Sequence, residues 1–161
     1  MLEIPSYRRY SPQNRGSGNR GMFFSGGPGA SERAEVRRVK VMIADDDLDT
    51  VLSLKTLLEI EKYEVLGVHS GEAALRAVPE FKPDAMLLDI GMPHLTGYDI
   101  ARVMRALRGN GLLLIAVTAM AKSSDRIAAR IAGFDHHVSK PYEPEDILAL
   151  LRPLAEKVRR N

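Results

Sequence analysis

From residue 39 onward, five short apolar runs alternate with five amphipathic stretches, and this alternation constrains the chain more than any other feature. The runs are VKVMIA (39–44), EVLGVH (64–69), AMLLD (85–89), LLLIAV (112–117) and DHHVS (135–139). None shows the clean polar–apolar alternation of a strand with one wet face. Between them, apolar residues recur at helical spacing: Val51, Leu54, Leu57 and Leu58; Ala73, Ala74 and Ala77; Ile100, Val103, Met104 and Leu107; Ile127, Ala128 and Ile131; Ile147, Leu150, Leu151 and Leu154. Each set predicts a helix with one apolar stripe. Strictly alternating strands and helices predict an α/β fold, a parallel sheet covered by helices on both faces and joined by right-handed crossovers.

Capping residues agree with these limits. Ser70 before GEAAL and Ser124 before DRIAA are expected to accept hydrogen bonds from free helical amides, and Gly133 follows the fourth helix where a left-handed residue is wanted. Pro153 is expected to end or kink the fifth helix.

In open sheets of this class, ligands lie beyond the carboxyl ends of the strands, so the residues just after each apolar run carry the chemistry. Asp45, Asp46 and Asp47 follow the first run, Asp89 ends the third, Thr118 follows the fourth, and Lys140 and Pro141 follow the fifth. Converging carboxylates repel one another unless a cation neutralises them, and an all-oxygen set suits magnesium. An ammonium and a hydroxyl aimed at the same place supply a point charge and a donor for phosphoryl oxygens. A carboxylate can itself take that group as a nucleophile, and Asp89, alone at its strand end, is the candidate acceptor.

Each residue singly has a plainer explanation: Asp89 in a turn, Asp45 to Asp49 capping the first helix, Thr118 on backbone, Lys140 in solvent. It is their joint arrival at four of five strand ends that carries the reading. Two neighbouring signals do not add to it. His136 and His137 are adjacent on a strand, so they point to opposite faces and cannot share a metal; they read as structural, with His137 near the site. The run DDDLD fails as an EF-hand loop, which needs Gly where Thr50 stands and Glu where Thr56 stands.

Residues 1–38 lack any strand or helix period and are rich in Gly, Ser, Pro, Asn and Arg, a composition that predicts a disordered extension. They hold seven Arg against three Glu, net +4, which leaves −2 on residues 39–161 from the total of +2. Arg and Gly interleaved with Tyr7, Tyr10, Phe23 and Phe24 could contact nucleic acid, but a solvated tail is the preferred reading; Met22 is an alternative start. The chain has no Cys, which excludes disulfides, thiolate metal sites and a cysteine nucleophile and is compatible with a cytoplasmic location. No secretory leader or membrane span is indicated, the longest apolar stretch being residues 111–121.

The segments IADDD (43–47), LLDIGMPHLTG (87–97), VTAMA (117–121) and SKPY (139–142) resemble the marker segments of response-regulator receiver domains of two-component signalling, over residues 39–154. The resemblance implies a flavodoxin-like five-stranded parallel sheet in the order 2-1-3-4-5, a receiver being among the stock examples of that order. It implies that Asp89 is the phosphoacceptor. It also implies that Asp46 binds Mg2+ directly, Asp45 through water, and Gly91 by its backbone carbonyl. Thr118 matches the switch hydroxyl, and Lys140 the lysine that pairs with the phosphoryl group, before a Lys140–Pro141 bond that is usually cis. The family's switch aromatic is replaced by His137, and two positions that tune hydrolysis are Gly91 and Met120, neither able to bond an attacking water. The implied partners are a histidine kinase or phosphotransfer protein and a downstream output protein. A phosphorylation-linked dimer is compatible, and residues 155–161 form the last helix end or a tail. GYDIARVMRA and AGFDHHVSKPYEPEDIL look similar to receivers attached to hybrid kinases, so a detached module or phosphorelay intermediate, acting by protein contact, is expected.

Two other readings remain. A phosphatase of the haloacid-dehalogenase type also places Asp, Thr and Lys at strand ends with magnesium, and Asp45 with Asp47 makes its Asp-x-Asp. No acidic pair ends a strand after the lysine, however, because Glu143, Glu145 and Asp146 open a helix. The other is an interaction module that is never phosphorylated, against which all five chemical positions are present.

Overall fold

Residues 41–44, 85–88 and 114–118 are buried at every position, which requires an apolar layer on both sides of the sheet they form. The computed structural model describes residues 37–119 and 122–160. Strands β1 (Lys40–Ala44), β2 (Glu64–Val68), β3 (Ala85–Leu88), β4 (Leu113–Thr118) and β5 (His136–Ser139) are all parallel, in the order β2-β1-β3-β4-β5. They alternate with α1 (Leu48–Ile60), α2 (Gly71–Phe81), α3 (Gly97–Arg108), α4 (Ser123–Ala132) and α5 (Pro144–Arg160). The α/β class expected from the sequence and the 2-1-3-4-5 order implied by the resemblance are those observed. The expected extension over 1–38 lies outside the described residues except for Arg37 and Arg38. No helix among the described residues is long and apolar enough to cross a membrane.

Period-two alternation divides the strands between two cores. Met42, Ala44, Met86, Leu88, Leu114 and Ala116 pack against α2, α3 and α4, while Val41, Ile43, Ala85, Leu87, Ile115 and Val117 pack against α1 and α5. Strands β2 and β5 lie at the two edges and are only partly buried, which is why their runs are less apolar than those of the three central strands.

Three expectations need correction, and half of a fourth, that Pro153 ends or kinks α5. In α4 the stripe Ile127, Ala128, Ile131 does not face the core: Ile127 and Ile131 are 61% and 79% exposed, and Ala129 and Ala132 are buried. Small side chains let this helix approach the sheet closely, and the larger isoleucines point away. In α3, Ile100 and Met104 are buried as expected, but Val103 and Leu107 are exposed and Ala101 takes the inward place. Ser124 is no cap, because α4 begins at Ser123, two residues earlier than expected, and the Asp125 carboxylate instead accepts from the Lys122 N–H at 3.0 Å. Pro153 does not end α5, which runs on to Arg160. A proline removes one helical hydrogen bond, and Leu154, Ala155 and Val158 beyond it still pack on the α1/α5 core.

Other caps hold. The Ser70 hydroxyl accepts from the Ala73 N–H at 3.1 Å, and Gly133, at φ 107°, closes α4 with its N–H on the Ala129 and Arg130 carbonyls. A Cβ on Gly133 would also lie 2.5 Å from Arg105 Cγ. That arginine ties three elements together, donating to the carbonyls of Gly133 (2.6 Å), Leu112 (2.7 Å) and Gly109 (2.8 Å) and to Asp135 (2.5 Å). Asp135 in turn accepts from the Leu114 N–H at 2.8 Å. Side-chain bonds of this kind to backbone fix where β4 and β5 start.

The loop between β3 and α3 is held by a close approach. A Cβ on Gly97 would sit 2.5 Å from the Asp89 carbonyl oxygen and 3.0 Å from Ile90 Cα, so only glycine lets the start of α3 press against that backbone. Thr96 caps α3 with Asp99 in a reciprocal box: each side chain accepts from the other residue's N–H, at 3.3 and 3.1 Å. Gly97→Ala is expected to destabilise the domain by about 1–3 kcal/mol, the usual penalty of one carbon too many in a packed site. Urea unfolding measures it, and a loss below about 0.5 kcal/mol would show that the loop yields freely.

Candidate phosphoryl and metal site

Order β2-β1-β3 puts β1 in the middle with its successor on one side and β3 on the other, so the chain reverses direction across the sheet there and leaves a crevice at the carboxyl ends. Ladder bonds carry the backbone past the strand ends and so orient the first residue beyond each strand. The Asp45 N–H donates to the Val68 carbonyl at 3.2 Å, the Asp89 N–H to Ala44 at 2.9 Å, and the Lys140 N–H to Thr118 at 2.9 Å. The predicted residues Asp45, Asp46, Asp89, Thr118 and Lys140 thus stand at the ends of four strands, β2 contributing none.

Carboxylate oxygens of Asp45, Asp46 and Asp89 lie within 4.8 Å of one another. Asp45 and Asp89 are buried, at 3% and 9% exposure, whereas Asp46 is exposed. Burial pushes the Asp89 carboxyl above the usual carboxylate range. Lys140 opposes that shift, Asp45 and Asp46 add to it, and a hydrogen bond from Thr118 again opposes it. A site that disfavours its own carboxylate charge, yet keeps three oxygens together and one side open, fits a hard divalent cation such as Mg2+. Among the described residues this is the one acidic or histidine cluster with metal-holding geometry.

The Lys140 ammonium donates to Asp45 at 2.7 Å and stands 3.9 Å from the nearer Asp89 oxygen. Burial acts to depress its pKa, but the bond to Asp45 and the charges of Asp45 and Asp89 outweigh burial, so Lys140 stays cationic above its ordinary range. The lysine therefore rests on Asp45, one short movement from Asp89. The Lys140–Pro141 bond is cis, as the resemblance implied. The other oxygen of Asp45 accepts from the Asp47 N–H at 3.0 Å.

Of the acidic run, Asp47 takes the plainer role. It caps α1, accepting from the Asp49 N–H at 3.0 Å and the Thr50 hydroxyl at 2.9 Å, and those two bonds hold its pKa below the usual range. Gly91 sits beside the acceptor candidate: a Cβ there would lie 3.3 Å from an Asp89 carboxylate oxygen. Met120 lies outside the described residues. His136 is exposed on β5, and both ring nitrogens of its neighbour His137, with the Ser139 hydroxyl, are buried without a hydrogen-bond partner among the described residues. Gly97 and the Thr96–Asp99 box, which place the Asp89 loop, are not among the residues singled out from the sequence. A Thr followed three residues later by an acid was the available signal for the box. Nothing local marks Gly97, because its reason is a contact with Asp89 backbone from another element.

Comparison with known proteins agrees with this geometry. Residues 41–152 match the response regulator receiver domain family. The response regulator MprA of Mycobacterium ulcerans is 34% identical over 121 residues, covering 75% of this chain and 52% of that protein, so the chain spans about half the length of the curated relatives it matches. A CheY-like response regulator receiver domain protein from Methanospirillum hungatei superposes with a TM-score of 0.70 at 27% identity, covering 77% of this chain and 98% of that one. The BeF3-activated receiver domain of DrrB, a Thermotoga maritima OmpR/PhoB homolog, superposes at 0.69 with 26% identity over 74% of this chain and 99% of its own. With its parallel 2-1-3-4-5 sheet and acidic cluster at the carboxyl ends of the strands, the chain belongs to the response regulator receiver domain family.

Proposed function

We propose that this chain is a phosphorelay receiver, that Asp89 accepts a phosphoryl group from the phosphohistidine of a histidine kinase or phosphotransfer protein, and that the modified domain signals through protein contacts. The observation that carries the reading is the placement of a buried Asp89 carboxylate among the oxygens of Asp45 and Asp46, with a lysine ammonium 3.9 Å away. A DrrB receiver related to this chain is described as BeF3-activated, and BeF3 has the shape and charge of a phosphoryl group on an oxygen.

In the proposed step an Asp89 oxygen attacks phosphorus in line, the new O–P bond forms as the donor's N–P bond breaks, and the donor histidine nitrogen leaves with the electron pair. Asp45, Asp46, Asp89 and the Gly91 carbonyl would hold Mg2+. When bound, the ion neutralises charge on the carboxylates and on the transferring oxygens. Lys140 exchanges its bond to Asp45 for one to a phosphoryl oxygen, and the Thr118 hydroxyl follows another, biasing the α4 and β5 region toward a second conformation. A cytoplasmic location suits such a partner. The dehalogenase-type phosphatase reading is disfavoured because the second acid of its Asp-x-Asp, Asp47, is engaged as a helix cap.

Incubation with acetyl phosphate and Mg2+ is expected to add the mass of one phosphoryl group, and Asp89→Asn to abolish the gain. No gain in the parent chain would favour an interaction module that is never phosphorylated, and a gain lost in Asp45→Asn but kept in Asp89→Asn would favour the phosphatase. Because Gly91 offers no side chain beside the Asp89 oxygen and Met120 none that bonds water, the phosphorylated state is expected to be long-lived. Gly91→Asn should hasten its decay severalfold by orienting the attacking water, and an unchanged or slower decay refutes this. In EDTA, Asp89→Asn should raise the melting temperature, since it removes a charge that burial and two neighbouring acids disfavour. Added Mg2+ should then stabilise the parent more than the variant, and equal shifts would place the ion elsewhere.

A further inference from the structure

At the pole of the sheet opposite Asp89, three segments far apart in sequence surround a cavity of about 240 Å3: Arg37 to Val39 before β1, Glu61 to Tyr63 between α1 and β2, and Ala155 with Arg159 on the last turns of α5. The floor is apolar, from Val39, Ala155 and the buried ring of Tyr63. Four cations and one acid line it. Arg37 is engaged by Asp84 at 2.6 Å, but Arg38, Lys62 and Arg159 have no ion pair among the described residues. Turn geometry fixes Lys62 in place: it closes α1 at φ 70°, its N–H on the Glu59 carbonyl at 3.1 Å, and the Tyr63 N–H on Leu58 at 3.0 Å. Ala155 and Arg159 share a helix face, being four residues apart.

Like charges gathered on a concave, apolar-walled surface focus a positive potential, and an anion that enters relieves their repulsion. The volume is below the ~300–1,000 Å3 usual for drug-sized ligands, which favours a compact anion over an extended one. We propose that this cavity is a binding site for a small phosphate-bearing anion, held by Arg38, Lys62 and Arg159 and separate from the Asp89 pocket. A planar guanidinium matches phosphate oxygens two at a time, and the lysine adds a mobile point charge. Glu61 disfavours a second, more negative occupant beside the first. The two sites share no residue.

The test is titration of the full chain with inorganic pyrophosphate in EDTA, so that no divalent ion occupies the aspartate cluster, followed by backbone amide NMR and calorimetry. Saturable shifts at Arg38, Lys62, Tyr63 and Arg159 are expected. Affinity should fall about tenfold in Lys62→Gln/Arg159→Gln and stay at the parent value in Arg126→Gln/Arg130→Gln, which removes the same charge from α4. Absence of saturable shifts at millimolar pyrophosphate, or an equal loss in both double variants, overturns the proposal. So does a single-stranded oligonucleotide that binds the same residues more tightly with increasing length, which would make the surface a nucleic-acid contact instead.

Discussion

Burial of both faces of the parallel sheet is the constraint on which everything else depends. Strands β1, β3 and β4 have no wet face, so their polar residues can appear only where the strands end. Parallel direction gathers those ends at one pole, and the reversal of connection around β1 opens a crevice there. Asp45, Asp46, Asp89, Thr118 and Lys140 meet for that reason, not because any local segment brings them together.

Once gathered, the charges must be settled against one another. Burial disfavours the ionised form of Asp89, and Lys140 leans instead on the more deeply buried Asp45. The arrangement is a balanced one: a lysine committed to a neighbour, an acceptor candidate with a partly frustrated charge, and an exposed Asp46 at the open side. An arriving cation and phosphoryl group would satisfy all three, which is why the proposed activity rests on the electrostatics as much as on the family. Glycines 91 and 97 shape the same place by absence, one leaving space beside the Asp89 carboxylate and the other letting α3 touch its backbone.

The opposite pole has the reverse character. Arg38, Lys62 and Arg159 gather there with no ion pair among the described residues and with Glu61 the one acid in the lining, so the domain is polarised from an acidic carboxyl-end crevice to a basic amino-end cavity. Such a dipole orients approaching charged partners at long range, independently of what each pole binds.

The sequence by itself determined the number, kind and order of the elements, because periods of two and 3.6 residues are local properties written in VKVMIA, AMLLD and the helical stripes. It also marked the strand-end polar residues, and the resemblance supplied the strand order. Only the tertiary structure decided which side of a helix faces inward: Ile127 and Ile131 form a good stripe, yet close approach to the sheet selects Ala129 and Ala132. It likewise decided that Asp47 caps a helix while Asp45 and Asp46 line the crevice, that Lys140 rests on Asp45, and that Arg38, Lys62 and Arg159 share a cavity. These are matters of distance between residues up to about 120 positions apart, and a pattern with a period of a few residues carries no information about them.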